Sequence, residues 1–179
     1  MVDHIEFASK EVVDRFIDGW RKGGTQRFGF LMGRYEPYAE VPMGIKAVVE
    51  AIHEPPQQGE VDGLTVVLPW EDEKRISELG SWCYDDAEMR NNGQGKIQIL
   101  GQIFTDLTPR PDDRSKLVYK RHPQSFNMSS LEVQFAAKMQ ANHPTPTKAS
   151  RTGEYGSRFV TVIVTGTQDG GVDVHGFQV

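Results

Sequence analysis

Phe28 to Tyr35 reads Phe-Gly-Phe-Leu-Met-Gly-Arg-Tyr, a dense apolar run with the length of a buried strand. Two glycines lie inside it, Gly29 and Gly33, so either the backbone bends there or a neighbour packs very close. A strand this apolar has to be covered by other elements, and the flanking sequence supplies them.

Upstream, Ser9 is an N-cap and Glu11 lies in the first turn, where the helix dipole favours negative charge. Val12, Val13, Phe16, Ile17 and Trp20 then recur at helical spacing, and Gly23-Gly24 stops the helix. Downstream, a turn bearing Pro and Glu leads to a second strand, Ile45 to His53, ended by Glu54-Pro55-Pro56. Pro55 to Gly63 reads as a loop and Leu64 to Leu68 as a short β-branched strand. Glu71 to Leu79 reads as a helix, Trp82 to Gly95 as an irregular excursion, and Ile97 to Leu107 as a central strand. Thr108 to Asp113 is a loop and Leu117 to Lys120 a short strand. A helix starting at Ser129 or Ser130 carries Leu131, Phe135, Ala136 and Met139 on one face and ends at Asn142-His143-Pro144. Thr145 to Gly156 reads as a polar linker. The chain closes with a hairpin, Phe159 to Thr165 and Val172 to Val179, turned by Gln168-Asp169-Gly170-Gly171. Strands interleaved with three helices predict an α/β domain, a mixed sheet with helices on its faces. The last strand stops without a cap or tail, as in a piece excised from a longer protein.

Composition narrows the function classes. Lys plus Arg number 20 and Asp plus Glu 25, a net charge of −5, which argues against a nucleic-acid surface. No apolar run approaches the ~20 residues that span a bilayer, so no membrane insertion is expected. One cysteine, Cys83, excludes an internal disulfide and a Cys-based zinc site, and a reducing cytosolic or nuclear setting follows.

Catalytic signatures are missing. The histidines at 4, 53, 122, 143 and 175 are mutually isolated, without the paired spacing of a zinc motif. There is no Gly-x-Ser-x-Gly elbow and no phosphate-cradling glycine loop. Cys83, between Trp82 and Tyr84, reads as a packing residue. Asp106, at the end of the central strand, and Glu132 on the last helix could share a cleft. Ser129-x-x-Glu132 also has capping-box spacing, which gives Glu132 a purely local reason to exist.

Three blocks carry a resemblance. Gln26 to Tyr35, Glu54-Pro55-Pro56-Gln57 and Gly101 to Leu107, in that order, resemble the MPN domains of the nuclear protein localization protein 4 family, over residues 4 to 179. The resemblance implies a single MPN domain over residues 1–179, of the JAB/JAMM-like, cytidine-deaminase-like type, without the ubiquitin-like and zinc-finger regions or the C-terminal domain. Active members of the wider family use a Glu, a His-Ser/Thr-His-Pro strand end and a Ser-x-x-Asp, with zinc on the two His and the Asp and the Glu as acid/base. Aligned on the glycines, the Glu position is Gln26, the His positions are Phe104 and Asp106, the Pro position is Leu107, Ser129 matches, and the Asp position is Glu132. A phenyl ring cannot ligate metal and an amide cannot shuttle a proton at neutral pH, so no catalytic residue, metal or cofactor is expected and the domain resembles a pseudoenzyme.

The resemblance further implies an adaptor that recruits ubiquitin, in an unfolded segment, and binds a peptide of ubiquitin fusion degradation protein 1. A Cdc48-type AAA ATPase would be contacted through regions outside this chain. Such an adaptor works in ubiquitin-dependent and ER-associated degradation, in cytoplasm and nucleus, peripheral to the endoplasmic reticulum membrane. Binding would use strand addition or an apolar groove. Leu64, Val66, Leu68 and Trp70, in the segment that the resemblance places similarly, are the nearest candidates for the hairpin with which active relatives grip the ubiquitin tail. The same alternation is that of a packed strand. The alternative is a divergent metal-dependent isopeptidase or hydrolase using Asp106, Glu132 and a histidine such as His53 or His122.

Overall fold

The computed structural model describes residues 1–67 and 97–179. Leu68, Trp70, Cys83, the helix expected over Glu71 to Leu79 and the excursion Trp82 to Gly95 lie outside the described residues.

Helix α1 spans Lys10–Gly23. Ser9 occupies the N-cap with extended backbone but makes no side-chain cap bond, while Gly24 closes the helix at φ 68° and donates its N–H to the Trp20 carbonyl. Phe16 and Ile17 are buried, with Val12, Val13 and Trp20 packed half-buried beside them, so the predicted stripe is the face that meets the sheet.

Among the described residues that sheet has six strands: β1 (His4–Phe7), β2 (Phe28–Tyr38), β3 (Gly44–His53), β6 (Gln98–Asp106), β9 (Val160–Gly166) and β10 (Val172–Phe177), in the order β1-β3-β2-β6-β9-β10. The β1–β3 and β6–β9 pairs are parallel and the other three antiparallel, giving a mixed α/β sheet. It curls until its edges nearly touch, with Val2 N–H donating to Gln178 Oε1 at 2.8 Å. Both readings of the glycine-bearing strand hold. Register shifts flank Met32 on either side, and a Cβ at Gly33 would overlap the Val48 carbonyl.

Residues from α1 and one sheet face, including Leu31, Val49, Leu100, Ile103 and Val162, form one core. Phe28, Phe30, Met32, Ile97, Ile99 and Phe159 form another with Met139 of helix α2 (Ser130–Asn142). Strand alternation should keep Ile99, Gly101 and Ile103 on one face. Pairing instead runs from Leu31↔Gly101 to Met32↔Ile99, leaving Leu100 as an extra residue in β6. This bulge reverses the parity beyond it, so that Ile103 enters the α1 core while Phe104 joins the α2 side.

Several expectations are corrected. The first long strand runs on to Tyr38, past Pro37, which sits at a position tolerated by strand β3. The loop expected from Pro55 contains a strand, β4 (Gln57–Gly59), which pairs with β5 (Leu64–Val66) as a hairpin. Leu117 to Lys120 contributes only an isolated bridge from Leu117 to Pro109, because Leu117 turns into the core instead of extending a ladder. The polar linker holds a small hairpin, β7 (Pro144–Pro146) with β8 (Glu154–Ser157). Leu131, placed on the buried face by spacing, is 77% exposed at the first turn of α2, where it borders a cleft; Ala136 and Met139 are the buried contacts.

Candidate functional site

Beyond the Leu100 bulge, β6 directs Phe104 and Asp106 toward the first turn of α2. The β4–β5 hairpin closes the opposite side, and the segment through Lys120, Arg121 and Phe126 makes a third wall. Together they bound an apolar cleft of about 700 Å³. The sequence-marked Gln26, Phe104, Asp106, Ser129 and Glu132 all line it, as do Leu64 and Val66. His53 and His122, the histidines considered for a metal site, are not among its lining; His122 packs on the Tyr119 ring at 5.0 Å. Among the described residues no group of three or more His, Cys, Asp and Glu is placed to hold a metal ion.

Gln26 is 3% exposed and has every amide valence used. Its Nε2 donates to the carbonyls of Val61 (2.5 Å) and Leu107 (2.8 Å), and its Oε1 accepts from Thr105 Oγ1 (2.8 Å) and Leu107 N–H (3.1 Å). Its backbone N–H donates to Glu60 at 2.8 Å. Gln26 is therefore a strut tying β2, the end of β6 and the hairpin together. Gln57 repeats the device one step along: Phe28 N–H donates to its Oε1 at 2.7 Å, and its Nε2 donates to the Phe28 carbonyl at 2.9 Å. Arg27 Nε donates to Glu54 Oε2 at 2.5 Å. Two sequence blocks that carry the resemblance, Arg27-Phe28 and Glu54 to Gln57, are thus stitched to each other residue by residue.

The acidic pair is engaged by two cations that sequence spacing did not single out. Asp106 accepts from Lys120 Nζ at 2.8 Å and from Arg121 Nε at 2.8 Å. Arg121 then spans to Glu132, with Nη2 donating to Oε1 at 2.6 Å and Nη1 to Oε2 at 2.9 Å, a two-armed pair. Nη1 also donates to the Asn127 carbonyl at 2.7 Å. The guanidinium carbon sits 5.8 Å from the Phe104 ring centroid and 5.4 Å from that of Phe126, and the side chain is 5% exposed. The capping box is present as spaced: Ser129 N–H donates to Glu132 Oε2 at 2.7 Å, and Glu132 N–H to Ser129 Oγ at 3.3 Å. Burial, the largest single influence on the Glu132 carboxyl, favours its neutral form. Hydrogen bonds from Arg121 and from Ser129 N–H, with the Arg121 charge, outweigh it and hold the carboxyl below its ordinary range. The sequence marks Arg121 only by its place next to Lys120, just past the short strand expected over Leu117 to Lys120.

No helix among the described residues is long and apolar enough to cross a membrane. The nuclear protein localization protein 4 of Debaryomyces hansenii is 45% identical over all 179 residues, those of Saccharomyces cerevisiae and Schizosaccharomyces pombe 42% and 41%. The chain spans about 29% of the length of each of these curated relatives. The family model described as the NPL4 family matches residues 27–179. With that match and whole-chain identities above 40%, the chain belongs to the NPL4 family.

Proposed function

We propose that residues 1–179 form one MPN domain of a longer adaptor, a non-catalytic interaction module that holds an extended apolar segment in the cleft between Phe104 and the β4–β5 hairpin. The observation that carries this reading is the cleft itself. The resemblance sets it where active relatives hold their metal; its lining is the Phe104 ring and the saturated Gln26 strut, and its mouth carries exposed Phe126 and Leu131. An apolar, preformed groove beside a short hairpin suits capture of an unfolded chain by side-chain insertion or strand addition.

The occupant that family membership favours is a segment of ubiquitin held unfolded, and a peptide of ubiquitin fusion degradation protein 1 is a second ligand of the same domain. Recruitment to a Cdc48-type AAA ATPase would run through parts of the relatives that this chain does not span. The setting is degradation of ubiquitin-tagged proteins in cytoplasm and nucleus, including clients at the endoplasmic reticulum membrane. The alternative, a divergent metal-dependent isopeptidase or hydrolase, would need Asp106 and Glu132 free to bind metal, and both are bonded to Arg121.

The test is a titration of the isotope-labelled chain with three ligands: a ubiquitin carrying core substitutions that keep it unfolded, native ubiquitin, and a peptide of ubiquitin fusion degradation protein 1. Unfolded ubiquitin should shift the amides of Leu64, Val66, Thr105 and Leu131. Silence at those amides toward all three ligands overturns the cleft as the binding site. Turnover of di-ubiquitin with added zinc, lost in Asp106→Asn, overturns the non-catalytic part.

A further inference from the structure

Zinc in this fold family takes two imidazoles and a carboxylate, and the residues present do not fit it. The first imidazole position is the Phe104 ring, and the remaining donors are two carboxylates, a poor set for zinc. Those carboxylates are moreover engaged. Both Glu132 oxygens and one oxygen of Asp106 accept from a single guanidinium, and the other Asp106 oxygen accepts from Lys120 Nζ.

We infer that Arg121 is the resident cation of the cleft: with Lys120 it supplies the two positive charges a divalent ion would bring, and its fork, bonded to Asp106 and Glu132 against the Phe104 ring, excludes metal and pins the cleft's third wall. Charge is the first support. Asp106 and Glu132 carry two negative charges and Lys120 and Arg121 two positive ones, so the cluster is neutral without metal. Geometry is the second. A guanidinium offers a planar fork that matches a carboxylate two-handed, as it does on Glu132, while its carbon lies over the Phe104 and Phe126 rings; an ammonium is a point charge without that fork. The third is connectivity. The same guanidinium donates to the Asn127 carbonyl and lies under Phe126, so the segment carrying Phe126 is fixed by the cation at the floor. A metal ion bound by the two acids would have to displace a side chain that is almost wholly buried.

This rests on the reading of Asp106 and Glu132 as non-catalytic, and its test is separate from the binding titration. Manganese is the probe, because it broadens nearby resonances whatever its activity. In the wild-type chain, millimolar manganese should leave the signals of Thr105 to Leu107 and of Glu132 and Val133 unbroadened. Arg121→Gln should bind it at least about tenfold more tightly at those positions, and Arg121→Gln with Asp106→Asn should lose that gain. Broadening in the wild type that Asp106→Asn abolishes overturns the inference. So does a folded Arg121→Gln chain as blind to manganese as the wild type. Should Arg121→Gln fail to fold, thermal unfolding of the wild type decides: no upward shift with manganese supports the inference, and a shift abolished by Asp106→Asn overturns it. A cleft that ignores manganese and binds no partner segment defeats the binding reading alone.

Discussion

Gln26 holds both peptide groups of Leu107, donating to its carbonyl at 2.8 Å and accepting from its N–H at 3.1 Å. The amide matters because it can donate on one side and accept on the other. Gln26→Glu turns the donating end into an oxygen facing the carbonyls of Val61 and Leu107. The variant should lose about 1–3 kcal/mol and show no hydrolase activity. Burial raises the new carboxyl's pKa, so the deficit should be smallest near pH 4–5 and grow toward pH 7, as an increasing fraction of the unfolded state ionises. Urea unfolding across that range checks it; a deficit that does not change with pH would show that the site tolerates the charge.

The acid end of the wild-type stability curve should report the Glu132–Arg121 pair. Glu132 ionises more readily folded than unfolded, so it adds stability above the ordinary carboxylate range near ~4.3, and that contribution is lost as pH falls through the lower folded value. Glu132→Gln should flatten this limb. Arg121→Gln leaves the two carboxylates facing each other without the fork; complete removal of one partner from a buried pair costs ~3–5 kcal/mol, and the partial exposure of both acids brings the expectation to about 2–3. Urea midpoints of the two variants between pH 3 and 7 measure both effects.

Local signals were the legible part of this fold. Gly24 stops α1 because only a left-handed residue closes the helix there, and Ser129 with Glu132 starts α2 through bonds made within four residues. The cleft is different, because its makers act over long range. Phe104 and Asp106 face α2 only because Leu100 bulges out of register with β2, and a period-two pattern carries no mark of a parity change. Arg121 carries no mark of its role in the sequence, because its partners Asp106 and Glu132 lie 15 and 11 residues away and meet it only in the fold. Leu131 has the spacing of a core residue, yet it lies exposed at the mouth of the cleft. Strand β1 is four residues paired in parallel with β3, too short and polar to announce itself.

The turn between β2 and β3 should be improvable. Val41-Pro42-Met43-Gly44 closes with Gly44 N–H donating to the Val41 carbonyl at 2.8 Å, and Met43 adopts φ 57°. Pro followed by a positive φ is the pattern of a type II turn, whose third position favours glycine. Met43 is 99% exposed, so its side chain has no packing to lose. Relief of the left-handed strain, set against glycine's greater unfolded entropy, should make Met43→Gly more stable by about 0.5 kcal/mol. A rise in the thermal midpoint with unchanged cleft resonances is the expected result.

Leu131 separates holding the fold from holding a partner. It lines the cleft mouth, is 77% exposed, and occupies the second position of α2, where the N-terminal end of the helix dipole favours an acid. Leu131→Asp should therefore leave stability within about 0.5 kcal/mol of wild type, the dipole offsetting repulsion from the neighbouring Glu132. If an extended apolar segment lies in the cleft, the same change introduces a charge where the segment buries a side chain, at a cost of about 1–2 kcal/mol. Affinity for unfolded ubiquitin should then fall roughly 5- to 30-fold. A folded Leu131→Asp chain that binds as tightly as wild type would move the binding site away from the α2 side of the cleft. The β4–β5 wall would then be the next place to look, with Leu64→Ser as the variant that separates the two sides.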